Sequence, residues 1–160
     1  MKIKIKLRIF IIAIVVVAIV LSAIFLMSEG KKVEVKNFVR AYNNLITKAH
    51  LELNAGMMRN MTSDWQYKKV DSYIASNLKK GRVIKGELIE LIFKDVKVEN
   101  DLATVITTER WLWSYVDPAT KKPVSEIFDE MYGITYHLNK VQSRWFVDDI
   151  DNEFIGKAAQ

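Results

Sequence analysis

The stretch ITYHLNKVQSRWFVDDI, residues 134–150, decides the fold. Every second side chain of a β-strand points to the same face, and apolar residues follow that period here. KVQS is a tight turn, so RWFVDDI at 144–150 is predicted to form the next strand. The strand before the turn is predicted over 124–139, with five side chains sharing one face: Phe128, Tyr132, Ile134, Tyr136 and Leu138.

Two further strands are predicted before this hairpin. Residues 82–98 are rich in Val, Ile, Leu and Phe, and residues 103–116 follow after the turn-like ENDL at 99–102. The second of these strands contains TTERWLWSYVD, residues 107–117. It sets three aromatic side chains two residues apart: Trp111, Trp113 and Tyr115.

The residues before the strands have a helical period. Apolar residues recur at three- and four-residue spacing over 33–55, and Gly56 is predicted to end this helix. A second helix is predicted over 64–80 with Ser63 as its N-cap. Its buried side is predicted to comprise Trp65, Val70, Tyr73, Ile74 and Leu78. Two helices followed by four antiparallel strands make an α+β domain, whose curved sheet can enclose a cone-shaped cavity.

Two motifs resemble the nuclear transport factor 2-like superfamily. That superfamily often ends with a strand of alternating aromatics, a short turn, and a Trp followed by apolar residues and an Asp. Four residues stand in those places: Tyr136, Trp145, Val147 and Asp149. VKVENDLATV at 96–105 is similar to the superfamily's hairpin of Val-x-Val, a polar turn and Ala-x-Val. The resemblance covers residues 35–150 and implies two helices packed on a curved four-stranded antiparallel sheet.

Two membrane-linked groups within the superfamily are similar in layout. One is the intermembrane-space domain of plastid and cyanobacterial division proteins, which shares a helix-borne Trp, here Trp65. The other is the bitopic inner-membrane subunit of type IV secretion systems, which has one span and a periplasmic domain of this fold. Both act as protein-interaction modules in assemblies, so the resemblance implies such a role here.

A long apolar segment precedes the folded part. Ile9–Met27 is 19 residues without a charge, Gly or Pro, and a helix of that length spans roughly 28 Å, close to a bilayer's hydrocarbon thickness. The basic residues before it place the N-terminus in the cytoplasm and the domain outside it. Cleavage near Ser28, leaving a secreted domain, is the alternative. The predicted segments are a cytoplasmic basic segment at 1–8, a transmembrane helix at 9–27, a connector at 28–32, a folded domain at 33–152 and a tail at 153–160.

Charge and composition argue against several classes of function. The formal net charge is +5, but 20 basic and 18 acidic residues remain once residues 1–30 are set aside, so we expect no nucleic-acid partner. The chain has no cysteine, which rules out disulfides and thiolate metal sites. His50 and His137 lack a clustered carboxylate, so no metal site is predicted. No Gly-rich phosphate loop is present, and we expect no cofactor.

Two carboxylates are candidate catalytic groups. Ketosteroid isomerases and related cyclases, which resemble this domain, use an Asp or an Asp/His pair inside an aromatic-walled cone. Glu109 and Glu130 share the two-residue phase of the strand aromatics, and a carboxylate so placed can act as a general base. The alternative, which we favour, places each Glu in solvent or pairs it with Arg110, Arg144 or a lysine, since charged residues are rarely buried without a function.

The aromatic row has two interpretations. A regular strand would place most of it on the concave face, packed against the helices, whereas a bulge would reverse the phase. The alternative leaves Trp111 and Trp113 exposed as an interface anchor. The candidate ligand- or partner-binding residues are Trp65, Trp111, Trp113, Tyr115, Tyr132 and Tyr136.

Together these features predict a membrane-anchored, extracytoplasmic module that binds protein partners, or a second copy of itself, in an envelope-associated complex. The reasons are the short tether, the scaffold and the lack of a recognisable catalytic set. The alternative is a small-molecule-binding, isomerase-like or cyclase-like domain. An open aromatic cavity holding Glu109 or Glu130 would favour that alternative, and a cavity filled by its own side chains would remove it.

Overall fold

The computed structural model describes the backbone of residues 2–158 and their side chains other than those of residues 2–15, 18 and 23–26. The chain forms two compact units, one ending at Glu34 and the other beginning at Val35. Within the portion whose side chains are described, no helix is long and apolar enough to cross a membrane. Most of the predicted span Ile9–Met27 lies outside that portion, so the span stays a prediction.

The first helix, α1, spans Lys2–Leu51. Residues 28–32, which we predicted to be a connector, are therefore helical. From the start of the second unit, apolar side chains are buried along one face, as the three- and four-residue spacing predicted. The fully or almost fully buried ones are Val35, Val39, Tyr42 and Ala49.

Helix α1 ends earlier than its apolar pattern predicted. Leu53 has a φ of 56°, in the left-handed region that terminates a helix. The amide of Asn54 then donates to the carbonyl oxygen of Ala49, at 2.9 Å. Gly56, the predicted stop, lies instead within a short 3₁₀ helix at Ala55–Met58.

The second helix, α2, spans Asp64–Lys79. Its predicted N-cap is confirmed, because the amide of Gln66 donates to the Ser63 hydroxyl oxygen at 3.3 Å. The predicted buried side is wrong in part: Trp65 is 60% exposed and Tyr73 is 50% exposed. Leu78 is also exposed, whereas Val70 and Ile74 are buried as predicted. The other buried positions of α2 are the amides Gln66 and Asn77.

The predicted four-stranded antiparallel sheet is confirmed, with strand order β1-β2-β3-β4. Its strands are β1 at Val83–Glu99, β2 at Leu102–Val116, β3 at Phe128–Val141 and β4 at Arg144–Lys157. The tight turn joining the last two strands has Gln142 and Ser143 both at positive φ, which suits the twist of a hairpin.

Two strand boundaries differ from the prediction. Strand β3 begins at Phe128 and not at residue 124, because the loop before it is tied to β2 by a hydrogen bond from the Val124 amide to the Tyr115 carbonyl oxygen. Strand β4 continues to Lys157, through residues 153–157 that we predicted to be part of a tail. Pairing with β3 holds this end, including Phe154 opposite Tyr132.

One face of the sheet is continuous from β2 to β3. The two strands pair without a register shift from Leu102 to Trp113, so no bulge reverses the phase of the aromatic row. Register shifts occur elsewhere in the sheet, twice in the pairing of β1 with β2, at β1, and twice in the pairing of β3 with β4. This face packs against the helices, with a core that includes Val105, Tyr136 and Val147.

Candidate functional site

Two residues of the aromatic row of β2, Trp111 and Trp113, line a cavity at the open end of this face. Glu109 lies opposite Tyr132, and Trp111 lies opposite Glu130, so their side chains share the face. The cavity has a volume of about 280 Å³. Eleven residues from both helices and all four strands line it: Ile46, Thr47, His50, Tyr73, Ile84, Gly86, Trp111, Trp113, Tyr132, Ile134 and Asn152.

Glu109 lies behind the cavity wall and is fully buried. One carboxylate oxygen accepts hydrogen bonds from the Asn43 amide at 3.1 Å, the Thr107 hydroxyl at 3.0 Å and the Tyr136 hydroxyl at 2.7 Å. The other accepts from the Trp111 indole N–H at 2.8 Å. Four donors compensate for the lost hydration of a buried carboxylate. The favoured prediction, that Glu109 lies in solvent or pairs with a cation, is therefore wrong.

Glu130 accepts hydrogen bonds from two aromatic side chains that line the cavity. The Trp113 indole N–H donates to one of its carboxylate oxygens at 2.8 Å, and the Tyr132 hydroxyl donates to the same oxygen. Trp113 also stacks on Phe128, with ring centroids 4.2 Å apart. Burial, and then the Glu130 carboxylate, raise the pKa of Tyr132 to about 12. Glu130 thus fixes two aromatic side chains that line the cavity, and pairs with neither Arg110 nor Arg144.

The helices contribute four lining residues that the sequence did not single out as binding residues: Ile46, Thr47, His50 and Tyr73. The His50 ring lies edge-on to the Tyr73 ring, with centroids 5.5 Å apart. Burial lowers the pKa of His50 to about 4, so its imidazole is uncharged near neutral pH. Burial raises the pKa of Tyr73. The helical period locates both residues on one side of their helices, but the cavity exists only where the helices meet the sheet.

Gly86 is the glycine of strand β1, and it lines the cavity. A Cβ atom added there would lie 3.9 Å from Thr47 and from Trp111, which is ordinary contact. Glycine inside a strand often marks close approach of another group, and this signal could have pointed to the site. A side chain larger than alanine would extend into the cavity.

Exposed aromatic groups border the cavity. Tyr73 lines it and is 50% exposed, so the cavity opens to solvent. Phe154 is 54% exposed and packs edge-on against Tyr132, with ring centroids 5.8 Å apart. Asn152, two residues before Phe154 on the same strand, also lines the cavity. These residues form a rim, defined here as Tyr73, Asn152 and Phe154.

The other aromatic candidates lie elsewhere. Tyr136 is 1% exposed and bonded to Glu109, so it belongs to the core and cannot contact a partner. Tyr115 lies beside Trp113 but under the Arg82 guanidinium, 3.6 Å from its ring, and does not line the cavity. Trp65 lies at the start of α2 with the Lys69 ammonium 5.3 Å from its ring. Among the described residues, no cluster of three His, Asp or Glu side chains could hold a metal ion.

The sequence matches no protein-family model and no curated protein. Solved structures are similar to it. The intermembrane space region of the chloroplast protein ARC6 has a TM-score of 0.66 at 16% identity, covering 77% of this chain and 96% of that chain. An NTF2-like protein with a cystatin-like fold from Novosphingobium aromaticivorans has a TM-score of 0.47 at 10% identity, covering 84% and 86%. A ketosteroid isomerase-like protein from Erwinia carotovora atroseptica has a TM-score of 0.45 at 12% identity, covering 76% and 93%.

The likeness to the ARC6 region concerns the fold, since the identity is low. The chain shares the fold of the ARC6 region, and its helices and four-stranded antiparallel sheet are those that the motifs predicted. A fold of this kind does not specify a function, which has to be argued from the cavity and its rim.

Proposed function

We propose that this chain is a membrane-anchored, extracytoplasmic protein-interaction module, and that its partner binds across the rim and into the cavity. The anchor is the predicted span Ile9–Met27, and the four basic residues before it support the orientation. The solved structure with a TM-score of 0.66 is the intermembrane space region of a chloroplast protein, a location next to a membrane that agrees with this proposal.

The open cavity with its aromatic rim carries the proposal. Protein interfaces are enriched in aromatic side chains, and their binding energy concentrates where one side chain fills a pocket. Tyr73 and Phe154 supply exposed aromatic area beside a pocket walled by Trp111, Trp113 and Tyr132. This arrangement suits a partner segment that covers the rim and inserts one side chain.

The state of the two carboxylates favours binding over catalysis. A general base must come within hydrogen-bond reach of the proton that it removes. Glu109 is buried behind Trp111 with four donors, and neither Glu109 nor Glu130 lines the cavity. Both carboxylates instead hold aromatic walls in place. Binding of a small molecule is the second candidate, since about 280 Å³ is close to the lower end of ligand-pocket volumes.

Site-specific photo-crosslinking in the full chain tests the proposal. A photoreactive phenylalanine analogue at Phe154 is expected to yield a discrete protein adduct in intact cells, while the same analogue at Ile106, which is 39% exposed on the other face of β2, is expected not to. Gly86→Leu, which fills the cavity without removing any side chain, should abolish the adduct at Phe154. Identical adducts at both positions, or an adduct unaffected by Gly86→Leu, would refute binding at the cavity.

A further inference from the structure

Three aromatic residues that wall the cavity, Trp111, Trp113 and Tyr132, have no polar hydrogen left to offer a ligand. Tryptophan and tyrosine side chains each carry one polar hydrogen. Trp111 donates its hydrogen to Glu109, and Trp113 and Tyr132 donate theirs to Glu130. A carbonyl or carboxylate inserted between these walls would therefore find none of their donors free, which disfavours an anionic ligand.

The lining residues themselves carry no positive charge near neutral pH. Two carboxylates lie directly behind the walls, and none of the eleven lining residues is a lysine or an arginine. His50, the one titratable base among them, is uncharged near neutral pH because burial holds its pKa at about 4. Arg82 does not line the cavity, but its guanidinium lies over the Tyr115 ring, donates through Nε to Asn77 and acts electrostatically on Tyr73.

The aromatic walls are suited to hold a cation. The face of an aromatic ring attracts ammonium and guanidinium groups, tryptophan most strongly. A hydrogen bond from the indole to a carboxylate polarises the ring further in the same sense. One face of Trp113 is covered by Phe128, yet the residue still lines the cavity. Three isoleucines are also among the lining residues: Ile46, Ile84 and Ile134.

We infer that the cavity selects a lysine or arginine side chain that the partner protein inserts, with its alkyl stem against the isoleucines and its charged head against Trp111, Trp113 and Tyr132. This inference rests on the proposed function and names the chemistry of the partner. Long basic side chains bury their stems against apolar surface while the head stays polar, so both parts of the lining are used.

Matched peptides test the selectivity on the full chain in a nonionic detergent. The probes are acetylated Gly-Gly-X-Gly-Gly amides in which X is lysine, arginine, norleucine or glutamate, and binding is followed by the indole N–H signals of Trp111 and Trp113 in nitrogen-15 spectra. The lysine and arginine peptides are expected to bind about 30-fold more tightly than the norleucine peptide, the ratio for a desolvated cation–π contact of about 2 kcal/mol. The glutamate peptide should bind most weakly.

Two variants with the same change of charge test whether Glu130 causes the preference for lysine over norleucine. Glu130→Gln should remove most of the preference for lysine over norleucine, because it neutralises the carboxylate while an amide oxygen can still accept from Trp113. Glu153→Gln makes the same change at an exposed position that faces away from the cavity, and should leave the preference unchanged. Gly86→Leu should abolish binding of every probe.

The outcomes separate this inference from the proposed function. Norleucine binding as tightly as lysine, with both sensitive to Gly86→Leu, would overturn the selection of a cation while leaving a partner at the cavity. Free n-butylammonium binding as tightly as the lysine peptide would overturn the assignment to a partner's side chain. No shift of either indole signal with any peptide up to about 10 mM would overturn the inference. The crosslinking experiment at Phe154 uses none of these peptides. It therefore tests the proposed function separately from the selection of a cation.

Discussion

Protonation of His50 should destabilise the fold in mild acid. Burial lowers its pKa from 6.5 to about 4 in the folded chain, whereas the unfolded chain keeps the ordinary value near 6.5. Between about pH 6.5 and about pH 4 the unfolded state binds more protons, so the free energy of unfolding falls as the pH falls. The contribution is fully present above about pH 6.5.

The magnitude follows from the size of the pKa difference. Each pKa unit corresponds to about 1.4 kcal/mol, so the total loss below pH 4 is about 3 kcal/mol. Integrating the linkage relation to about pH 5 gives a loss of about 2 kcal/mol. Other groups titrate in this range too, so the useful quantity is the difference in unfolding free energy between the wild type and His50→Gln.

Denaturant unfolding of the full chain in nonionic detergent at about pH 7.5 and about pH 5 measures that difference. The advantage of the wild type over His50→Gln should shrink by about 2 kcal/mol between the two conditions. His137→Gln leaves His50 as the chain's single histidine, so its proton spectrum should follow the His50 ring alone. If the stability difference between wild type and His50→Gln changes by less than about 0.5 kcal/mol between the two pH values, His50 binds its proton equally well in the folded and unfolded states. That result would refute the reasoning.

Three other measurements probe the site, the fold and the anchor. Glu109→Gln cannot accept from all four donors and should leave the Trp111 N–H facing an amide N–H, costing about 1–3 kcal/mol of stability in denaturant unfolding; an unchanged midpoint would contradict the hydrogen-bond network. Ser63→Ala should cost about 1 kcal/mol by removing the cap on the Gln66 amide, whereas Ser63→Thr keeps the cap; equal losses would argue against capping. Reporter fusions should place the N-terminus in the cytoplasm and the C-terminus outside it, and the reverse activity would refute the predicted topology.

The sequence could predict the strands because alternation is a local property. Residues in a strand point alternately to the two faces, so the pattern around Tyr136 and Trp113 identifies which residues share a face before any partner is known. The N-cap at Ser63 is equally local, since donor and acceptor lie three residues apart. The strand end near Lys157 could not be predicted, because pairing with β3 and not its own composition holds it.

The buried side of α2 shows where a local pattern was insufficient. Trp65, Tyr73 and Leu78 are among its most apolar residues, and the hydrophobic period therefore predicted them to be buried. The face that meets the sheet instead includes Gln66 and Asn77. Asn77 donates to the Tyr73 carbonyl oxygen and accepts from Arg82. Gln66 donates to the Tyr42 hydroxyl, while its buried Oε1 has no hydrogen-bond partner among the described residues. Burial of a polar group depends on such partners, which a hydrophobic pattern does not record.

The sequence by itself determined the fold class and the shared face of the aromatic row, because both depend on spacing along the chain. Only the tertiary structure decided whether Glu109 is buried and which donors it accepts from. Its donors Asn43 and Tyr136 lie 66 and 27 residues away, and only packing of α1 and β3 against β2 brings them within 3.1 Å. A carboxylate is buried only where enough donors converge on it, so whether Glu109 acts as a base, a surface charge or a support for Trp111 depends on contacts that spacing cannot reveal.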